Sequence, residues 1–172
     1  MKQDICKLLP LVGMEWNGQS IRFGDGRETV EAILGAPQTA RSSCYYFENE
    51  LRFDFDAAGS LEFIECLGGP DGAVQPEIYG TKAFQRKADE LLELLTVRND
   101  GPIDDREAEY SYAFLNISVG ICRDTTPADV EEMVRELSRI DLTTLGHVNL
   151  EEENRRANHW ATVGIGRKGY YA

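Results

Sequence analysis

The sequence predicts an α+β fold: two helix-plus-antiparallel-meander units in a pseudo-repeat, with an extra helix inserted in the second. Three observations carry this. Short runs alternate apolar with polar residues, the pattern of half-buried strands. Other segments space their apolar residues as one face of a helix. The order short strand, helix, meander occurs twice along the chain.

The elements follow in order. Ile5 to Leu9 reads as a single helical turn ending at Pro10, and Ile21-Arg22-Phe23 as a short strand. Asp25 opens a helix, with Glu28 as the return half of a capping box. Val30, Ile33 and Leu34 form its apolar face, and Gly35 and Pro37 stop it. A meander follows: Cys44 to Glu48, a tight turn at Asn49-Glu50, Leu51 to Phe55, the turn Asp56 to Gly59, and Leu61 to Cys66. Leu67 to Pro76, with Gly68, Gly69, Pro70 and Gly72, reads as a linker. Glu77 to Tyr79 is a strand candidate. Phe84, Ala88, Leu91, Leu92 and Leu95 then lie on one face of a helix over 83–96.

Asn99 to Glu109 is an acidic loop in which Asp100, Asp104, Asp105, Glu107 and Glu109 face a single base, Arg106. Tyr110, Tyr112 and Phe114, then Ile117, Val119 and Ile121, alternate as a hairpin. Thr126-Pro127-x-Asp129 is a helix start. Val130, Met133, Val134 and Leu137 form that helix's stripe, and Arg135 and Arg139 sit near its C-terminal end, where the dipole favours cations. Leu142 to Asn158 is polar and reads as a loop. His159, Ala161, Val163 and Ile165 alternate in a final strand over 159–166.

The two halves, 15–67 and 77–172, form one compact unit across the linker 68–76, and the repeat is one of pattern, over roughly 60 residues each, rather than of identity. A length of 172 residues is enough to bury a core, and 42% hydrophobic with 28% charged residues excludes a disordered chain. The formal net charge is −12. Such a surface repels nucleic acid and anionic membrane and is drawn to a basic partner. Cys6, Cys44, Cys66 and Cys122 form no Cys-x-x-Cys pair and read as buried free thiols of a reducing compartment. Met1 to Met14 does not read as a signal peptide, and no apolar run approaches the roughly 18 residues of a membrane span. A cytoplasmic location is expected.

Glu28-Thr-Val-Glu-Ala-Ile-Leu-Gly-Ala-Pro, followed by Tyr45-Tyr-Phe-Glu-Asn-Glu-Leu-Arg-Phe-Asp-Phe-Asp-Ala-Ala-Gly-Ser-Leu, resembles the unit of the β-lactamase inhibitory protein-like fold. That unit, also found in small outer-membrane assembly lipoproteins, is a helix ending in Gly-x-Pro followed by strands around an "aromatic, acid, x-x-Gly" turn. Tandem copies are similar to several bacterial inhibitor and immunity proteins. The ending Thr162-Val-Gly-Ile-Gly-Arg-Lys-Gly-Tyr-Tyr resembles the tails of uncharacterised bacterial immunity-type proteins. The chain departs from the lipoproteins in having no lipobox, and from the secreted inhibitor in having no clear disulfide pair within a unit. The resemblance implies no catalytic residue.

No other motif points to chemistry. His147 and His159 flank Glu151, Glu152 and Glu153, but the spacing matches no metal-binding helix or knuckle, and a solvated acidic loop explains it better. Cys122 and His159 could pair only if their strands were neighbours, and no nucleophile elbow frames Cys122. Glu48, Glu50, Asp54 and Asp56 read as solvated acids, and Gly164-Ile-Gly166 is not followed by a helix, so it is no phosphate loop.

Gly120 and Gly164 fall mid-strand, which points either to a tightly packed helix or to a bare surface for a partner. Trp160, Tyr170 and Tyr171, beside Arg167 and Lys168, are either hot-spot aromatics or core. The expectation is a non-enzymatic module without cofactor or metal: an immunity-type inhibitor that neutralises a basic toxin domain through Asp100, Asp104, Asp105, Glu107, Glu109, Trp160, Tyr170 and Tyr171. The alternative is a small-ligand-binding or homo-oligomeric α+β domain with an aromatic cavity around Tyr110, Tyr112 and Trp160.

Overall fold

A computed structural model describes residues 4–139 and 149–172. Its strands are β1 (Ile5–Leu9), β2 (Gly13–Trp16), β3 (Gln19–Arg22), β4 (Thr39–Ala40), β5 (Ser43–Tyr46), β6 (Leu51–Phe55), β7 (Leu61–Cys66), β8 (Gln75–Ile78), β9 (Thr81–Lys82), β10 (Ile103–Asp104), β11 (Ser111–Phe114), β12 (Val119–Cys122) and β13 (Thr162–Gly166). Its helices are α1 (Arg27–Leu34), α2 (Ala88–Asn99), α3 (Pro127–Leu137) and α4 (Leu150–Ala157). The class is α+β.

A smaller sheet runs β3-β2-β1-β8-β9 and a larger one β10-β11-β12-β13-β7-β6-β5-β4. In the larger sheet two antiparallel runs meet at their last strands, with Val163 opposite Cys66 and Ile165 opposite Ile64. The smaller sheet is antiparallel except where β1 lies parallel to β8. One hydrophobic cluster joins the two. It takes Cys6, Met14 and Trp16 from the smaller sheet, Phe53, Ile64 and Ile165 from the larger, and Val30 from α1 and Leu91 and Leu95 from α2.

Several elements differ from expectation. Ile5–Leu9 is a strand, because Cys6 and Leu8 are buried while Ile5 and Lys7 are exposed, a two-residue period that a helical turn cannot produce. β2 was not anticipated: Gly13, at φ +145°, lets it lie so close to β3 that a Cβ there would strike the Ile21 carbonyl. At α1 the Asp25 carboxylate accepts from the Arg22 amide at 2.8 Å, so Gly26 takes the N-cap without a side-chain bond and the expected box does not form. The predicted stop at Gly35, φ +81°, is present.

α2 begins at Ala88 rather than 83. Phe84 is buried within a turn, where the Gln85 and Arg86 amides both donate to the Lys82 carbonyl. α3 starts as predicted, with Thr126 and Asp129 forming a reciprocal capping box. The expected loop over Leu142–Asn158 is helical over Leu150–Ala157, capped by Asn149, whose side chain accepts from the Glu152 amide. Residues 142–148 of that loop lie outside the described residues.

The segment after β7 is clamped rather than loose. The Glu50 carboxylate accepts from the Ala73 amide at 3.1 Å and the Val74 amide at 2.7 Å. The Gln75 side-chain amide donates to the carbonyls of Gly69 and Gly72. Glu50, expected to be a solvated acid, therefore ties the β5–β6 turn to the crossing between halves. We expect Glu50→Ala to cost about 2 kcal/mol, because two amides lose their acceptor. Urea denaturation reads this, and an unchanged midpoint would show the clamp to be idle.

All four cysteines are free. Cys6, Cys44 and Cys66 are buried, and the sulfurs of Cys6 and Cys66, one from each sheet, lie 3.9 Å apart. Among the described residues no helix is long and apolar enough to cross a membrane.

Candidate functional site: the open face of the eight-stranded sheet

Strand alternation gives the larger sheet two faces. On one, Leu51, Phe53, Ile64, Cys66, Val163, Ile165, Val119 and Ile121 point into the core. α1 lies on this face, with the Arg27 guanidinium 5.1 Å above the Phe55 ring, and so does α2, through Leu91 and Leu95. The opposite face follows from the register. One row crosses all eight strands as Asp104, Ala113, Gly120, Gly164, Glu65, Arg52, Tyr45 and Thr39. What lies on this face is the chain's own end, and no helix packs there among the described residues.

The tail answers the question posed by the mid-strand glycines. Neither a helix nor a bare surface explains them. A Cβ on Gly120 would come 2.7 Å from Cζ of Tyr171, and one on Gly164 would meet Phe63 Cζ at 2.7 Å and the Tyr171 hydroxyl at 3.0 Å. Tyr171 lies against the sheet because those two strands carry no side chain there. Tyr170 stacks on Phe63, rings 4.6 Å apart and 8° from parallel. Arg167 anchors the tail by pairing with Asp56 at 2.8 Å and Glu62 at 3.2 Å, and the Ser118 hydroxyl donates to the Arg167 carbonyl. Burial pushes the Tyr171 phenol far above its ordinary range, with the nearby Glu65 charge adding to it.

Beside the tail, Arg52 donates from Nε to Asp54 at 2.9 Å and lies 3.9 Å from Glu65. Burial raises the Glu65 carboxyl, and the Arg52 charge opposes that rise. Asp54 is thus an ion-pair member, not a solvated acid. A groove of about 490 Å³ runs over this face, lined by Arg52 and Glu65, by Tyr171, and by Asp104, Ser111 and Ala113.

The acidic segment borders that groove. Asp104 belongs to the row but is bound by Arg106 through Nε at 2.9 Å and Nη2 at 2.6 Å, which holds its carboxyl below the ordinary value. Asp105, Glu107 and Glu109 are exposed in the β10–β11 turn and make no ion pair among the described residues. Asp100 caps α2 at the other end of β10, where its carbonyl and that of Asn99 accept from the Asn116 side chain. The structure therefore groups Asp104, Asp105, Glu107 and Glu109 and sets Asp100 apart.

Trp160 is wholly buried, so it offers no surface to a partner. Its Nε1 donates to the Ala88 carbonyl at 2.9 Å, and its ring meets Tyr112 edge-on at 5.9 Å. The Arg123 guanidinium sits 4.6 Å over that ring and donates from Nε to the Glu109 carbonyl at 2.6 Å. Trp160 thus supports the acidic turn from below. Arg123, which sequence reasoning missed, is the link between them, and nothing in its local sequence marks it.

The aromatic cavity expected around Tyr110, Tyr112 and Trp160 does not form: Trp160 fills the core, and the exposed Tyr110 hydroxyl donates to Asp129. Cys122 lies along the open-face groove, whereas His159 lines a different cavity, with Nδ1 on the Arg155 carbonyl. Burial raises the Cys122 thiol, which disfavours its thiolate. Among the described residues no group of three or more His, Cys, Asp and Glu is placed to hold a metal ion, and His147 lies outside them. Glu152 and Glu153, expected in a loop, pair with Arg156 on α4.

Comparison with protein-family models, with curated proteins and with solved structures finds no match for this chain.

Proposed function

We propose that this chain is a non-enzymatic protein-binding module: a cytoplasmic, bacterial immunity-type inhibitor that takes a basic toxin domain onto the open face of its eight-stranded sheet. The observation that carries the reading is the conjunction of that helix-free face with the unpaired acids Asp105, Glu107 and Glu109 along its rim. A net charge of −12 supports it, since charge complementarity steers encounter and selects partners. Tyr170, half-exposed on the face, supplies an aromatic contact of the kind that dominates hot spots. The resemblance of residues 28–61 to inhibitor units points the same way. The strand order supports a duplicated unit as well, because each run of four ends at the central β7–β13 pair.

The test is capture from host lysate with the wild-type chain and with a variant carrying Asp105→Lys, Glu107→Lys and Glu109→Lys. We expect a basic protein to be retained by the wild type at low salt, released at high salt, and not retained by the variant. Retention that ignores both salt and the three substitutions would rule the reading out.

A further inference from the structure

A second concavity, of about 320 Å³, opens where the Leu67–Asp71 segment meets the residues after β12 and after α4. Arg123, Asp124, Thr125, Arg156 and His159 line it. Arg123 is 7% exposed. Its Nε and Nη1 donate to the carbonyls of Glu109 and Ala157, and its plane rests on Trp160. Among the described residues it makes no ion pair, and its Nη2, which makes no hydrogen bond within the protein, reaches solvent rather than lying orphaned in the interior. Arg52, Arg106, Arg155 and Arg167 each hold a carboxylate, and Arg27, which holds none, is only half-buried, so Arg123 stands apart by its depth. Asp124 across the cavity and Asp129 act on it only at a distance, so this buried guanidinium has no direct carboxylate contact.

The groups around it complete a donor set. Arg156 reaches the same cavity while also holding Glu152 and Glu153. His159 has Nδ1 2.7 Å from the Arg155 carbonyl, which can only accept, so Nδ1 carries the proton and Nε2 remains as an acceptor. The Thr125 hydroxyl and the amides of Gly68 and Gly69 have no partner among the described residues. Of the two acids at the rim, Asp71 is held by Arg155, which leaves Asp124 as the opposing charge. Leu67, Pro70 and Ala161 add an apolar wall.

We infer that this cavity binds a small phosphate-bearing molecule, with Arg123 and Arg156 on the phosphate oxygens and Thr125 as a further donor, while His159 Nε2, an acceptor, faces a hydroxyl of the organic portion. Several convergent donors suit a group with three acceptor oxygens. The cavity holds more than the ion alone, so the apolar wall would cover an organic portion. This site is separate from the open sheet face and does not depend on the protein-binding reading.

The full chain would be titrated with inorganic phosphate and with glycerol phosphate, by calorimetry and by thermal shift, with acetate as the control. We expect saturable binding of both phosphates, tighter for glycerol phosphate, with acetate far weaker. Arg156→Gln changes a group outside the core and should weaken phosphate binding roughly tenfold, the loss of one charge-assisted contact. Arg123→Met should abolish binding, and a circular dichroism spectrum shows whether that variant remains folded. Absence of saturable phosphate binding, acetate binding as tight as phosphate, or an Arg156→Gln variant with unchanged affinity would each overturn the assignment.

Discussion

Deleting Tyr170 to Ala172 is expected to destabilise the chain by about 3 kcal/mol, the scale set by one buried tyrosine and one aromatic stack. Phe63, 5% exposed beneath Tyr170, would be uncovered, and the floor at Gly120 and Gly164 would open. Size alone would not show that the tyrosine occupies the glycine seat, so the informative comparison is a coupled one. In the full chain Gly120→Ala places a methyl group against the Tyr171 ring and should cost stability. In the truncated chain the same change meets no ring and removes a glycine from a strand, so it should be neutral or mildly stabilising. A cost for Gly120→Ala that is the same with and without the tail would mean that Tyr171 does not sit there. The uncovered face also links this experiment to binding: if Tyr170 contributes to partner recognition, truncation weakens capture beyond what charge accounts for.

Trp160→Ala should have the largest effect of any single substitution, about 4 kcal/mol, as for other fully buried aromatics. Three things are lost together. A large core volume empties, the Ala88 carbonyl loses its indole donor, and the Arg123 guanidinium loses the ring beneath it. The last has a consequence at a distance. Arg123 holds the Glu109 carbonyl, so the acidic turn should loosen, visible as faster amide exchange over Glu107–Tyr110 at denaturant concentrations where the chain is still folded. Trp160→Phe keeps an aromatic face for Arg123 but not the indole donor, and should lose less stability while leaving exchange in the turn close to wild type. Fast exchange in the turn for both variants would place the support of Glu109 elsewhere.

Much of the local structure was legible. β6 and β7 fall at their predicted bounds because Leu51-Arg-Phe-Asp-Phe alternates without interruption and Asp56 to Gly59 closes the turn between them. In that turn the Asp56 side chain accepts from the amides of Ala58 and Ser60, the usual reason aspartate sits there. α3 was legible because Thr126, Pro127 and Asp129 are a complete start signal. What failed did so for physical reasons. β1 is only five residues long with Pro10 just beyond, too short for period to separate strand from helix. α4 buries little but Ala157, so it has no stripe to read, and its stability comes from Asn149 at its start and i,i+4 pairing of Glu152 with Arg156. At the site, residue type could not separate a hot-spot tryptophan from a core one, and burial decides that Trp160 is core. The glycines announced a close approach, but not by what, because the tail returns to them from about fifty residues beyond Gly120, a pairing no local pattern encodes.

The proposed docking of a basic surface on the open face can be examined by titrating the isotopically labelled chain with an oligolysine peptide and following backbone amide shifts. The rival acidic surface is the α3–α4 pair, where Glu131 and Glu132 are drawn to Arg135, and Glu152 and Glu153 to Arg156. Docking on the open face should give salt-sensitive shifts concentrated at Asp104 to Ala113, with α3 and α4 little changed. Shifts centred on α3 and α4, or spread evenly over the molecule, would contradict it.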